Sequence, residues 1–210
     1  MKARNHKVFS LILCLTLLAG VSATVAQGSE TGFERMQADD KPMADLQDAQ
    51  NVTLVGQFAG PVGSVAVNGS YAYVGTGSAL VILDVSDPAH LVVVGQTAVP
   101  DAEIADVAVA GNYAYVADGS SGLHIIDVSD PAAPFEAGSY EMGGGVIRGV
   151  MVVGTYAYVA NYGLFIIDVS EPSAPFHVDF CDTGGDASAV AVAGSYAYVA
   201  NGYNGELRII

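Results

Sequence analysis

Residues 113–131 read YAYVADGSSGLHIIDVSDP, and the same phrase returns along the chain. YAYV begins at Tyr71, Tyr113, Tyr156 and Tyr196, at spacings of 42, 43 and 40 residues. Each is followed by an apolar run: Leu80–Asp84, Leu123–Asp127, Leu164–Asp168 and Leu207–Ile210. DVSDP or DVSEP then starts at Asp84, Asp127 and Asp168. A repeat of this length is read before any single element, because it sets the architecture.

Each repeat divides into four short strands. Val65–Val67, Val107–Val109, Val150–Val152 and Val190–Val192 precede the four YAYV runs. The joints between them are Gly69-Ser70, Gly111-Asn112, Gly154-Thr155 and Gly194-Ser195. Glycine at the first central position is what a two-residue hairpin with positive φ there requires. After the third strand, Asp can accept a bond from its own following backbone, and Pro88, Pro131 and Pro172 cannot continue a ladder. The fourth strand is Leu91–Gln96, Phe135–Tyr140 or Phe176–Phe180. Four strands in about 42 residues is the period of a β-propeller blade. The first and third strands are almost continuously apolar, as expected of sheets covered on both faces. The paired tyrosines of YAYV lie two apart and share a face, which reads as packing rather than as a sugar-binding platform.

Composition agrees with an all-β protein. The 210 residues are 51% hydrophobic and 14% charged, with 25 Gly and no Trp. Such a chain buries a substantial core. We expect blades at roughly 60–98, 102–140 and 145–181, and an incomplete one at 186–210, within a repeat region of 52–210. About four blades are thus present, and they belong to a larger ring, because the last unit stops after its third strand. The alternative is that Leu54–Phe58, which resembles Leu91–Gln96, is an orphan fourth strand that closes a four-bladed ring.

The LxIxD core, the DVSxP turn and the GNYAYVA hairpin together resemble the LVIVD repeat. The resemblance spans about Asn51 to Ile210. It implies a β-propeller of the kind found in exported and surface proteins of bacteria and archaea. It carries no shared catalytic residues. Only structural positions transfer: Asp84, Asp127 and Asp168, and the proline that follows each.

The amino terminus points to export. Residues 1–26 hold Lys2, Arg4 and Lys7 and no carboxylate, then an apolar run from Val8 to Ala23, then small residues ending at Ala23 or Ala26. This is the pattern of a signal peptide, with an apolar run too short for a membrane span of about 20 residues. Residues 27–51 read as an acidic flexible linker. After cleavage at Ala26, four Lys+Arg face 22 Asp+Glu. That balance excludes nucleic acid and anionic lipid surfaces as partners. Cys14 leaves with the signal, so Cys181 stands alone, a buried apolar group rather than half of a disulfide.

No nucleophile elbow, zinc motif, P-loop or CxxC occurs. His90, His124 and His177 occupy different places in their repeats, which is not metal-ligand spacing, so no metal site is assigned. The connections at one end of the blades carry residues that no turn requires and that differ from blade to blade. These are Asp101, Glu103, Asp106, Asp118, Asp182 and Asp186, with Asn161 and Asn201 at the position of Asp118. Variation on a constant scaffold is how repeat folds build binding faces, although the same residues also serve simply as a solvated acidic rim. No cofactor is expected; Ca²⁺ is the one ion these loops would suit.

The expected function is a non-enzymatic binding or scaffold module that meets a protein or glycan at the cell envelope or outside the cell. The alternative is a propeller hydrolase or lyase whose site lies in blades outside this chain. Export gives the first test: N-terminal sequencing of the secreted product is expected to start at Thr24 or Gln27, and a secreted product starting at Met1 refutes cleavage.

Overall fold

The computed structural model describes residues 54–99, 103–202 and 205–210. The proposed signal peptide and linker, and Asp101, lie outside the described residues. Among the described residues there are fifteen strands and no helix, and residues 58–210 form one compact unit.

The strands fall into four antiparallel sheets, each in simple meander order. The first contains β1 (Ser64–Asn68), β2 (Tyr71–Thr76), β3 (Ala79–Asp84) and β4 (Val92–Ala98). The second contains β5 (Ile104–Ala110), β6 (Tyr113–Asp118), β7 (Gly122–Asp127) and β8 (Phe135–Glu141). The third contains β9 (Gly149–Val153), β10 (Tyr156–Ala160), β11 (Leu164–Asp168) and β12 (Phe176–Cys181). The fourth has three strands, β13 (Ala187–Ala193), β14 (Tyr196–Asn201) and β15 (Glu206–Ile209). Residues 54–59 are not in a strand.

The local chemistry read from the sequence explains the turns. Gly69, Gly111, Gly154 and Gly194 have φ of 59°, 59°, 63° and 61°, so each first hairpin closes on a residue that pays no Cβ penalty. The carboxylates of Asp84, Asp127 and Asp168 each accept the amide of the serine two residues on, at 2.8 Å. Ser170 also donates its hydroxyl to Asp168 at 2.6 Å. Bonds from Ser86 and Ser170, side chain and backbone, hold the Asp84 and Asp168 carboxyls below their ordinary range. The pairing of third and fourth strands carries a bulge at one place in the first three sheets: Ile82/Leu83, Ile125/Ile126 and Ile166/Ile167. A bulge sharpens the twist of the outer strand there.

Packing between sheets makes the core. Tyr73, Leu80 and Ile82 of the first sheet meet Val107, Val116 and Ile126 of the second. Tyr115, Leu123 and Ile125 of the second meet Val150, Val159 and Ile167 of the third. Ala160 and Leu164 of the third meet Ala187 and Val199 of the fourth. The face of each sheet turned toward the next is here its leading face, and the opposite one its trailing face. The YAYV tyrosines lie on leading faces, as their spacing requires. Tyr73 and Tyr115 are buried, whereas Tyr156 and Tyr196 are exposed. The innermost strands pack in series, β1 on β5, β5 on β9 and β9 on β13.

The outer strands touch the following sheet main chain to main chain. A Cβ on Gly95 would overlap the Pro131 carbonyl, and one on Gly138 the Pro172 carbonyl. Glycine is required here for space rather than for φ. Gly138→Ala is therefore expected to cost about 1–3 kcal/mol, as overpacking against rigid backbone does, read as a lower urea midpoint.

Candidate functional site

The connections between one sheet and the next meet the turns between second and third strands at one end of the blades. Main-chain bonds tie these together across each junction. Gly77 accepts the amide of Ile104 at 2.8 Å, Gly119 that of Ile147 at 2.8 Å, and Asn161 that of Ala187 at 2.7 Å. In each case the turn of one sheet holds the start of the next.

The candidate residues divide into a buried and an exposed group. Asp118, Asn161 and Asn201 end β6, the run after β10, and β14, and are 0%, 1% and 2% exposed. The two asparagines grip the incoming connection of their own sheet. Asn161 donates from Nδ2 to the Gly144 carbonyl at 2.9 Å and accepts the Tyr162 amide at 2.8 Å. Asn201 donates to the Thr183 carbonyl at 2.6 Å and accepts the Thr183 hydroxyl at 2.9 Å. Their hydrogen-bonding groups are therefore engaged within the fold.

Asp106 bridges two sheets. Oδ1 accepts the Val107 amide and Oδ2 the Val150 amide, each at 2.9 Å, so strand β5 caps an edge donor of β9. A bulge between Ile104 and Asp106 aims the side chain there. Burial pushes its carboxyl above the ordinary range, outweighing the two amides that pull it down.

Glu103, Asp182 and Asp186 are exposed. Asp182 accepts the Gly184 amide at 2.8 Å. Asp186 meets Arg148 Nη1 at 3.2 Å, an ion pair across the junction between third and fourth sheets. Glu103 borders an open cavity of about 480 Å³ lined also by Gly63, Ile104, Gly119 and Val146. Asp182 borders a second, of about 380 Å³, with Thr183, Arg208 and Ile209. The exposed carboxylates are thus distributed over two hollows and one ion pair rather than gathered at one point. Among the described residues no group of three or more His, Cys, Asp and Glu is placed to hold a metal ion.

One feature escaped the sequence reading, and a second reads there as a variant rather than a ligand. Arg148 supplies positive charge beside Asp186, and its only signal was a cation where the other repeats have Gly63, Ala105 or Ser188. His124 is the second. It is buried, with Nδ1 3.0 Å from Glu136 Oε1 and Nε2 3.6 Å from Asp118 Oδ2. By strand alternation it projects with Val116 and Ile126, the side packed on the first sheet. Its sequence signal was its departure from Val81, Phe165 and Arg208 at the same place, and its partner Glu136 could not be read without the register of β7 on β8.

With this geometry in view, the class is a β-propeller repeat protein. Solved structures support the fold. The chain is similar to the computationally designed Ika4 protein, with a TM-score of 0.62 at 9% identity, over 76% of this chain and 97% of that one. It is similar to the Cps50 (Swd1) β-propeller domain of Myceliophteria thermophila, with a TM-score of 0.58 at 12% identity, over 70% and 52%. It is also similar to a chain in the mitotic checkpoint complex, with a TM-score of 0.61 at 13% identity, over 70% and 48%. The match spans about half the length of the last two. No curated protein sequence is significantly similar to this chain. The LVIVD repeat model matches four times, at residues 59–99, 103–142, 144–183 and 184–210, and the chain belongs to the LVIVD-repeat family.

Asp106 gives a test of the site's construction. Asp106→Ala leaves the Val150 amide without its acceptor and is expected to cost roughly 1–3 kcal/mol. Because the folded pKa is raised, the folded state binds more protons than the unfolded one from the ordinary carboxylate pKa up to the folded value. This contribution is present at low pH and declines as pH rises through that window. The stability gap between wild type and Asp106→Ala, from urea melts, is therefore expected to narrow from pH 4 to pH 7.

Proposed function

We propose that the chain is an exported, non-catalytic binding or scaffold module. Its partner is a protein or glycan at the cell envelope or outside the cell, met at the end of the blades that carries Glu103, Arg148, Asp182 and Asp186. The observation that carries this reading is where the repeats differ. Hairpin glycines and paired tyrosines recur in all four blades and Asp-capped turns in the first three, while the exposed charged residues at this one end do not recur. A scaffold held constant under a varying rim is the arrangement of a recognition surface. The likeness in fold to a chain of the mitotic checkpoint complex is in keeping with a role in assemblies. Among the described residues no helix is long and apolar enough to cross a membrane.

The acidic excess favours a partner with exposed cations or a glycan bound through hydroxyls, and disfavours polyanions. The reading includes no resident cofactor. Envelope material passed over the immobilised protein is expected to yield a specific partner. Reversing charge at Arg148 and Asp186 together is expected to weaken capture at least fivefold without lowering the melting temperature. Capture unaffected by that double variant refutes the surface assignment. In the same preparation, millimolar Ca²⁺ is expected to leave the melting temperature unchanged; an increase would reveal a bound ion, since a native-state ligand stabilises by mass action.

A further inference from the structure

We propose that Asn68 is a self-modifying site: its side-chain amide is lost through a cyclic imide with Gly69, which converts the residue to aspartate and isoaspartate. This does not rest on the partner-binding reading.

The chain contains three Asn-Gly pairs, at 68–69, 201–202 and 204–205. Such a pair can cyclise because the following backbone nitrogen reaches the side-chain carbonyl carbon and glycine has no Cβ in the way. Two groups decide whether it does so in a folded chain: the nitrogen that attacks and the amide that leaves. The structure treats them differently at the three pairs.

At 201–202 both groups are held. The Gly202 amide donates to the Asp186 carbonyl at 2.9 Å. Asn201 is 2% exposed, with Nδ2 donating to the Thr183 carbonyl at 2.6 Å and Oδ1 accepting the Thr183 hydroxyl at 2.9 Å. At 204–205 the attacking nitrogen is held, since the Gly205 amide donates to the Asn201 carbonyl at 2.9 Å. Asn204 itself lies outside the described residues.

At 68–69 neither group is held in this way. Asn68 ends β1 and pairs with Tyr71 on the last rung of the hairpin, which leaves Gly69 and Ser70 as the two loop residues. Asn68, Gly69 and Ser70 are all exposed. The Gly69 amide has no partner among the described residues, and a Cβ placed on Gly69 would meet nothing within 4 Å, so the nitrogen is open to approach. The contact made by Asn68 Nδ2 is a long one, 3.4 Å to the Gly111 carbonyl in the hairpin of the second sheet. Nor does the hairpin need asparagine there. Ala110, Val153 and Ala193 precede the equivalent glycines, which take the same positive φ.

The reaction balances with water alone. The Gly69 nitrogen gives up its proton and bonds to Asn68 Cγ, the Cγ–Nδ2 bond breaks, and Nδ2 departs as ammonia with that proton. Water then adds across one of the two carbon–nitrogen bonds of the imide. Opening at Cγ gives aspartate with the ordinary main chain. Opening at the backbone carbonyl gives isoaspartate, whose main chain runs through Cβ and Cγ. Aspartate replaces the donor to Gly111 by an acceptor, and isoaspartate lengthens the main chain at the last rung of β1 on β2.

The test is peptide mapping of the folded full chain after incubation at mildly alkaline pH, with mass spectrometry and an isoaspartate methyltransferase assay. Aspartate and isoaspartate are expected at Asn68, forming at least about tenfold faster than at Asn201, which reacts only through local opening. Asn68→Ala, which installs the residue found at 110 and 193, is expected to stay folded and to release correspondingly less ammonia. An Asn68 that stays intact in the folded chain while the urea-unfolded chain converts overturns the proposal. Conversion at Asn201 that keeps pace with Asn68 overturns it too, as does ammonia release that Asn68→Ala leaves unchanged.

Discussion

The physical constraint under the whole structure is that each sheet is apolar on both faces. In β7, Leu123 and Ile125 turn toward the third sheet while Ile126 turns toward the first, and all are buried. Fully burying such a side chain contributes about 1.5–3 kcal/mol, so a sheet left bare on either face forfeits several such terms at once. A two-faced sheet cannot stand alone; it has to be stacked. Stability is then a sum over junctions between neighbours, as in other repeat proteins, and the glycines at 95 and 138 let the backbones come close enough to complete each junction.

That constraint determines what is left for function. Positions facing a neighbouring sheet are committed to packing, and the Asp-capped turns are committed to their own backbone. The blade end where sheets are linked is the remaining place for variation, but part of it is structural too. Asn161 and Asn201 look like ligand-facing polar groups in the sequence and are instead internal clasps on Gly144 and Thr183. Asp106 looks like a free carboxylate and instead caps a donor of the next sheet. What stays available is Glu103, Asp182 and the Arg148–Asp186 pair.

Legibility follows the same division. The strands, hairpin glycines and Asp turns were readable because each is settled within a few residues, and four repetitions of one pattern remove the ambiguity a single copy would have. The fourth strand of the first three blades was readable in position though Val92, Val93 and Phe135 on it are exposed rather than covered. The partners of polar side chains were not readable. Asp106 meets Val150 from the next repeat, and His124 meets Glu136 through a strand pairing that includes a bulge. Separations of this kind are set by stacking and register, neither of which composition or spacing encodes.

Near-identical repeats raise a further physical question, which is what makes one junction different from another. The apolar contacts alone do not: Tyr, Leu and Ile recur at equivalent places in each. The polar contacts do. The second sheet carries His124 with Asp118 and Glu136 on its side facing the first sheet, the second junction holds the Asp106 carboxylate on Val150, and the third holds Arg148 on Asp186. The Val150 amide loses its Asp106 acceptor when the second sheet is set against the wrong neighbour, and an unsatisfied buried group costs about 1–3 kcal/mol. Mispaired stacking, the characteristic failure of repeat proteins, is therefore penalised at the second junction by desolvation. The third is held by an exposed ion pair, whose contribution is about 0–1 kcal/mol. Polar discrimination between neighbours is thus stronger at the second junction, where Asp106 caps a buried amide, than at the third, where the Arg148–Asp186 pair is exposed.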